Sequence, residues 1–457
     1  MLRNVLRRSG ASSTITPVAV LCLTALSRVP SSVSAQQPDS APTGHRDSVA
    51  ASRDSLEERL RRAEEAIELL RRQLATQAAS EVRTRSRVQF EIFGRVLLNT
   101  FYNSGRGNVV DVPQFVLADA GAPARAGSFS AAVRQSLVGG AIHITDVAGG
   151  AFTGDLSLDL FGATQSNPSR TSPVVRLRTA RGILQWDHAR ILVGQEDPVF
   201  MGLSPVSLAS IGTPDFVTAG NLWLWLPQVR VGADAGNRVR VGIEAAVLSP
   251  SSGEPASVTD PDPVDLAELS GRPFIQARLR VRWGEDETAG EIGVAGHRGW
   301  FSNIGTSGPV IVGEGDLLNS EGIGLDARIP FTRWLELRGE VYRGKLLRGL
   351  GGGGIGQNFG APDPLTGARL ALRDTGGWAQ LNLRPAPVWE AGAGFGIDQP
   401  RASDRPVRQR NLAFEGHVIV RPAGPIVVGV EYRRMETRYA AGTFADDHVN
   451  FATGFEF

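Results

Sequence analysis

Ile275-Gln276-Ala277-Arg278-Leu279-Arg280-Val281-Arg282-Trp283 alternates apolar and polar side chains without a break. That is the period of a β-strand with two unlike faces. One face is aliphatic, and the other is mostly guanidinium. The same alternation recurs at Gln228-Val229-Arg230-Val231-Gly232-Ala233-Asp234, at Arg238-Val239-Arg240-Val241-Gly242-Ile243-Glu244, and at Leu335-Glu336-Leu337-Arg338-Gly339-Glu340-Val341. Two structures accept such strands. A soluble antiparallel sheet wets the charged face. A membrane barrel turns the apolar face to lipid and the charged face to a lumen.

The connections between strands separate the two. Sixteen candidate strands are readable, at 89–101, 128–144, 150–162, 174–186, 189–197, 226–235, 238–248, 273–284, 290–301, 321–330, 334–346, 377–385, 388–398, 409–421, 426–436 and 448–457. Short connections alternate with long ones at 102–127, 163–173, 198–225, 249–272, 302–320, 347–376, 399–408 and 437–447. A barrel crossing an outer membrane segregates its loops in this way, short turns on the periplasmic side and long loops outside. A soluble sandwich has no reason to. The expected fold is therefore all-β: a 16-stranded antiparallel transmembrane β-barrel over 88–457, preceded by a short coiled-coil helix.

The end of the barrel carries its own signal. Val449, Phe451, Thr453, Phe455 and Phe457 share one face of the last strand. Phe451, Phe455 and the terminal Phe457 resemble the assembly signal of bacterial outer-membrane proteins. Trp186, Trp283, Trp300, Trp334, Tyr342, Trp389 and Tyr432 fall near strand ends, where interface girdles sit.

The front of the chain reads as an address. Arg3, Arg7 and Arg8 precede an apolar run from Thr16 to Leu26, and Val33-Ser34-Ala35 supplies small residues for cleavage. Residues 1–35 are thus an expected signal peptide, and the run is too short to span a bilayer. A polar linker occupies 36–51. Leu56, Leu60, Ala63, Ile67, Leu70 and Leu74 then form a narrow seam among charges, predicting a periplasmic coiled-coil segment over 52–80.

Charge and cysteine bound the function. The chain has 48 basic and 47 acidic residues, and without residues 1–35 the balance becomes slightly acidic. That gives no footing for nucleic acid as a partner. Cys22 is the single cysteine, so neither a disulfide framework nor a Cys-ligated metal is expected. The six His include no i, i+4 pair. No G-x-S-x-G elbow occurs, and Gly351–Gly354 lacks the Lys-Ser/Thr of a phosphate loop. No enzyme, metal or cofactor is expected. An outer-membrane barrel enzyme, or a barrel scaffold or adhesion protein tethered through its coiled coil, are the alternatives to a channel.

Inward-facing side chains should line such a channel. The expected basic lining is Arg134, Arg176, Arg178, Arg230, Arg238, Arg240, Arg278, Arg280 and Arg282. Two outcomes stand open. The arginines attract anions, or they are balanced by Glu244, Glu336, Glu340, Glu415 and Glu431 on other strands. The 198–225 loop is unusually apolar for outer solvent, so it is expected to fold into the barrel, with Glu196, Asp197 and Asp215 as the acidic side of a constriction.

Three local stretches resemble trimeric outer-membrane porins of the DcaP-like type, and more distantly the phosphate-selective porin O/P family. They are Ser128 to Ser136 around Arg134-Gln135-Ser136, Ile191-Leu192-Val193-Gly194-Gln195 with Phe200, and Leu226-Pro227-Gln228-Val229-Arg230. The heptad segment ahead of the barrel also fits that family. The resemblance implies a homotrimer in the outer membrane of a diderm bacterium, delivered by the barrel-assembly machinery and embedded in outer-membrane lipid. It also implies a pore in each chain that passes small anionic solutes such as dicarboxylates. Leu137 stands where that family often has a basic residue, and Lys345 is the single lysine.

Overall fold

The computed structural model describes residues 88–118, 127–162, 170–254, 264–285, 288–303 and 315–457. The expected signal peptide, linker and coiled-coil seam lie outside the described residues.

The strands in chain order are β1 (Val88–Asn103), β2 (Ser128–Ala132), β3 (Leu137–Val147), β4 (Gly150–Gly162), β5 (Val174–Gln185), β6 (Ala189–Glu196), β7 (Leu226–Ala235), β8 (Val239–Leu248) and β9 (Phe274–Trp283). They continue with β10 (Gly290–Ser302), β11 (Leu317–Thr332), β12 (Leu335–Lys345), β13 (Arg373–Ala386), β14 (Trp389–Pro400), β15 (Arg408–Val420), β16 (Ile426–Tyr439) and β17 (Gly442–Glu456). From β3 onward each strand pairs antiparallel with the next, and β1 pairs with β2, β3 and β17, which closes the sheet. At the seam, Gly94 and Phe457 exchange backbone hydrogen bonds of 2.8 and 2.9 Å.

β2 and β3 both lie on β1, end to end, so the closed barrel has sixteen staves. The sequence reads 128–144 as one strand; the chain instead leaves the sheet at Val133-Arg134-Gln135-Ser136. Ser136 Oγ accepts from the Leu97 backbone at 3.0 Å, replacing a ladder bond that the break removes. A second difference is at the C-terminal hairpin. The 437–447 stretch is not a loop. β16 and β17 extend through it and meet around Ala440-Ala441, with Tyr439 opposite Gly442. Phe444 packs with Tyr439, which explains why the longer strands are favoured.

The outer wall is apolar. Ile92, Val138, Val193, Val231, Ile243, Leu279, Ile323, Val341 and Phe414 are all exposed. On β17, Val449, Phe451, Phe455 and Phe457 share this face. Such a belt is stable against lipid rather than water. Tyr342 is a correction to the expected girdle: it faces inward, is buried, and donates to Asp398 at 3.1 Å.

Turn chemistry sets the short-loop end. Val147 pairs with Gly150 across Ala148-Gly149, and both turn residues have positive φ. That is the backbone of a tight primed hairpin, which matches the twist of its strands.

Candidate functional site

The 198–225 loop lies inside the barrel. Its apolar residues Val199, Phe200, Met201 and Leu222 join Leu248, Phe274, Phe301, Leu318 and Leu347 in a core within the lumen. Leu208 packs with Leu97, Ile419 and Val427 on the opposite wall. Burial of this surface is what draws so apolar a loop inward.

Polar wall residues fix its path. Phe200 N–H donates to Gln276 on β9 at 2.9 Å, Leu203 N–H to Glu340 on β12 at 2.6 Å, and Val206 N–H to Gln380 on β13 at 2.7 Å. Farther round, Ile211 and Gly212 both donate to Gln135 Oε1 at 2.7 Å. Asp215 then pairs with Arg433 on β16. The loop thus runs across the lumen, one backbone donor at a time, and returns to β7. Each interior backbone group that meets no water needs such a partner.

The return path brings two tryptophans to the β5 wall. Trp223 and Trp225 meet edge to face at 5.0 Å, and the Arg178 guanidinium lies 4.5 Å from the Trp225 ring. Arg176 and Arg178 also donate to the carbonyls of Gly212 and Ile211.

Between the loop and the β6–β9 wall is a narrow space of about 150 Å³. By liquid volume it holds roughly five waters. Arg190, Arg230, Arg278 and Arg280 line it together with Glu196, Asp197, Glu244 and Glu291. The charges there are balanced. A wider vestibule of about 1000 Å³ adjoins it at the short-turn end and shares Leu203 and Glu291. Its lining has Arg238, Arg240, Arg282 and Arg328 against Glu285 and Glu291, an excess of positive charge.

Most of these arginines have acids. Arg280 pairs with Glu244 at 2.7 Å and with Asp234 at 3.0 Å. Arg278 pairs with Asp326 and Glu291, Arg282 with Glu291, Arg190 with Glu244, and Arg181 with Asp155 and Glu196. Arg176 and Arg178 share Asp159. Arg230 differs. It donates to neutral acceptors, the Gln228 side chain and the Asp197 carbonyl. Among the described residues no carboxylate is in ion-pair contact with Arg230, Arg238 or Arg240.

Two residues stand elsewhere than the sequence implies. Arg134 lines no open space. It is wholly buried in the break between β2 and β3, paired with Asp111 at 3.1 Å and 3.9 Å from the centre of the Phe161 ring. Asp215 is also fully buried, on the far wall with Arg433, and is absent from the constriction lining. Glu196 and Asp197 do line it. Removal from water pushes the Asp197 carboxyl up to about 6, against the opposing pull of Arg178, Arg230 and Arg181.

Sequence reasoning missed Arg190, Gln135, Gln276 and Gln380. Arg190 was legible in principle, since it alternates with Ile191 and Val193. Gln276 and Gln380 carried no signal, and Gln135 stood out only within the Arg134–Ser136 stretch, because the role of all three depends on a loop remote in sequence.

Asp215, Glu415 and Glu431 form a buried acidic group whose ligand atoms lie within 4.8 Å of one another. Arg433 donates to both Asp215 and Glu431, so a guanidinium meets their charge. His417 Nδ1 lies 3.2 Å from Glu415, and His297 sits between Gln276 and Ser320.

A closed, lipid-faced barrel with a loop folded across its lumen defines the architecture of an outer-membrane channel. No family profile and no curated relative matches the chain. Among solved structures, it is similar to the outer membrane channel DcaP of Acinetobacter baumannii. The TM-score is 0.60 at 14% identity, over 82% of this chain and 99% of that one. An anion-selective porin from Comamonas acidovorans gives 0.49 at 12% identity, over 81% and 100%. OprB of Pseudomonas putida gives 0.49 at 10%, over 80% and 94%. The chain therefore has the fold of the DcaP channel.

Proposed function

We propose that the protein is an outer-membrane porin, a water-filled channel for passive diffusion of small hydrophilic solutes, with a preference for anions. The observation that carries this reading is the constriction between the in-folded loop and the arginine wall. A barrel serving only as a scaffold has no need of a cross-lumen loop that narrows the lumen to a space lined by four arginines and four acids. The sequence offers no nucleotide motif for energy coupling, so the solute gradient drives transport.

Selectivity follows from where charge is left over. In the narrowest space the lining is balanced, so its preference is weak. The excess of arginine at the vestibule raises the local concentration of anions before they enter. Arg230, with neutral partners, is the guanidinium at the constriction best placed to meet a solute carboxylate or phosphate oxygen. Dicarboxylates and inorganic anions fit this chemistry. Assembly as a homotrimer, held in part by the 52–80 segment, belongs to the same reading.

Planar-bilayer recording of the purified protein in a KCl gradient tests it. Steps in groups of three with an anion-favouring reversal potential are expected. Absence of conductance from correctly folded protein would overturn the channel reading and bring the scaffold forward.

A further inference from the structure

Five consecutive staves carry an arginine at the long-loop end of the outer wall: Arg343 on β12, Arg373 opening β13, Arg401 just after β14, Arg410 on β15 and Arg438 on β16. On β7, β8 and β9 the corresponding positions are apolar: Val229, Val247 and Ile275. Where an outer-face arginine does occur, it has an acid. Arg298 on β10 pairs with Glu321 at 2.7 Å, and Arg434 pairs with Asp447 at 3.0 Å. Among the described residues, Arg343, Arg401, Arg410 and Arg438 have no such partner.

Arg410 and Arg438 are direct cross-strand partners. Like charges directly opposite repel. The Arg410 Nε is also buried without an acceptor. An anion between the two guanidiniums would supply what the protein does not.

Beneath the arc, Arg343, Arg373 and Arg401 rim a groove of about 820 Å³ on the apolar face. Gly377 and Ala379 form its floor, and Phe395 flanks it. The small floor residues leave a recess in a wall that is otherwise filled by Val, Leu and Phe. The Arg410–Arg438 pair lies two to three staves away, roughly 10–15 Å at normal strand spacing.

We propose that this face binds a phosphorylated, polyacylated lipid of the outer leaflet. Its phosphates sit on Arg343 and Arg401 at one end and on the Arg410–Arg438 pair at the other, and an acyl chain lies in the groove. This rests on the outer-membrane reading above. Charge complementarity selects the occupant. Guanidinium forks match phosphate oxygens, and the outer leaflet is where a two-phosphate headgroup and acyl chains come together. A second copy of this chain is a poorer match, because the outer-face carboxylates Glu321, Glu436 and Asp447 are already paired with Arg298 and Arg434.

The test is native mass spectrometry of the purified full-length protein in detergent, titrated with bisphosphorylated lipid A, its monophosphoryl form and phosphatidylethanolamine. Wild type should retain the bisphosphorylated lipid most strongly, with the monophosphoryl form about ten-fold weaker. The combined R343Q/R401Q/R410Q/R438Q variant should lose that preference, and its single-channel conductance should stay at the wild-type level. A379W should weaken all acylated lipids alike while keeping the phosphate ranking. Equal binding of the three lipids by wild type, or unchanged binding by the four-fold variant, would overturn the proposal. So would an A379W variant that changes oligomer mass and leaves lipid binding intact, since the groove would then hold a second copy. Wild type that binds the lipid but never conducts would leave this site standing and defeat the channel reading.

Discussion

Arg433, on the inner face of β16, pairs with Asp215 at the far end of the loop that enters the barrel between β6 and β7. The contact spans the lumen in sequence terms, 218 residues apart, and both side chains are buried. It is the point at which the loop is held ionically to the wall opposite its origin. Replacing Arg433 with Met leaves Asp215 and Glu431 buried without their cation. Breaking such a pair costs about 3–5 kcal/mol. The expected outcome is a lower temperature for the heat-induced mobility shift, with larger and noisier single-channel currents as the loop loosens. Quiet, wild-type currents would mean that the backbone hydrogen bonds hold the loop unaided.

At Gly220 the loop lies hard against the wall. The φ of this glycine is 103°, and a Cβ there would fall 2.3 Å from backbone atoms of Gly377 on β13. Neither backbone has room to give. Gly220→Val should push the returning arm of the loop away from β13 and toward the arginine wall. Conductance should fall while the barrel still assembles, as judged by the folded band on unheated gels. An unchanged conductance with a folded band would show that this arm does not border the conducting path.

The barrel was legible in the sequence because lipid and lumen impose a period of two on every stave, and 275–283 states it plainly. The loop's inward fold was legible too, through the conflict between its apolar residues and outer solvent. What escaped was pairing across the lumen. Alternation tells that Arg280 faces in, but not that Glu244 and Asp234 from neighbouring strands meet it. Arg134 and Asp215 were misplaced for the same reason. Each lies where a local departure, the break at 133–136 or the far arm of the loop, removes it from the channel. The final hairpin was misread because Ala445, Asp446 and Asp447 resemble loop residues, although their backbones pair with Glu436, Met435 and Arg434.

Arg230 and Arg240 should dominate ion preference, because among the described residues neither is in ion-pair contact with a carboxylate. Arg230→Glu is expected to move the reversal potential in a KCl gradient toward cation preference, and Arg240→Glu by a smaller amount from its more open position. Arg280→Glu should behave differently. It places a third acid beside Asp234 and Glu244, so its main effect is on folding yield. A reversal potential unmoved by Arg230→Glu would remove this residue from the selectivity argument and leave the vestibule arginines to carry it.

The 52–80 segment is expected to contribute to assembly rather than to conduction. The sequence pattern there amounts to about three heptads, a length that is marginal alone. Deleting the segment should shift the protein toward monomer in size-exclusion light scattering while leaving unitary conductance unchanged. Loss of membrane assembly altogether would show that the segment is required earlier, during delivery of the barrel.

Asp197 gives the constriction a pH dependence whose sign can be worked out. Its carboxyl is raised to about 6 by removal from water, so it is charged above that pH and neutral below it. At neutral pH the narrow space has four arginines against four acids. As the pH falls through about 6, one acid is lost and the lining becomes net positive. Anion preference should therefore increase on acidification in that window. Asp197→Asn should show the acidic value at every pH and abolish the step, while leaving the vestibule's contribution in place. Reversal potentials measured in wild type and variant between neutral and mildly acidic buffer decide it. A step that persists in Asp197→Asn belongs to another carboxylate of the lining.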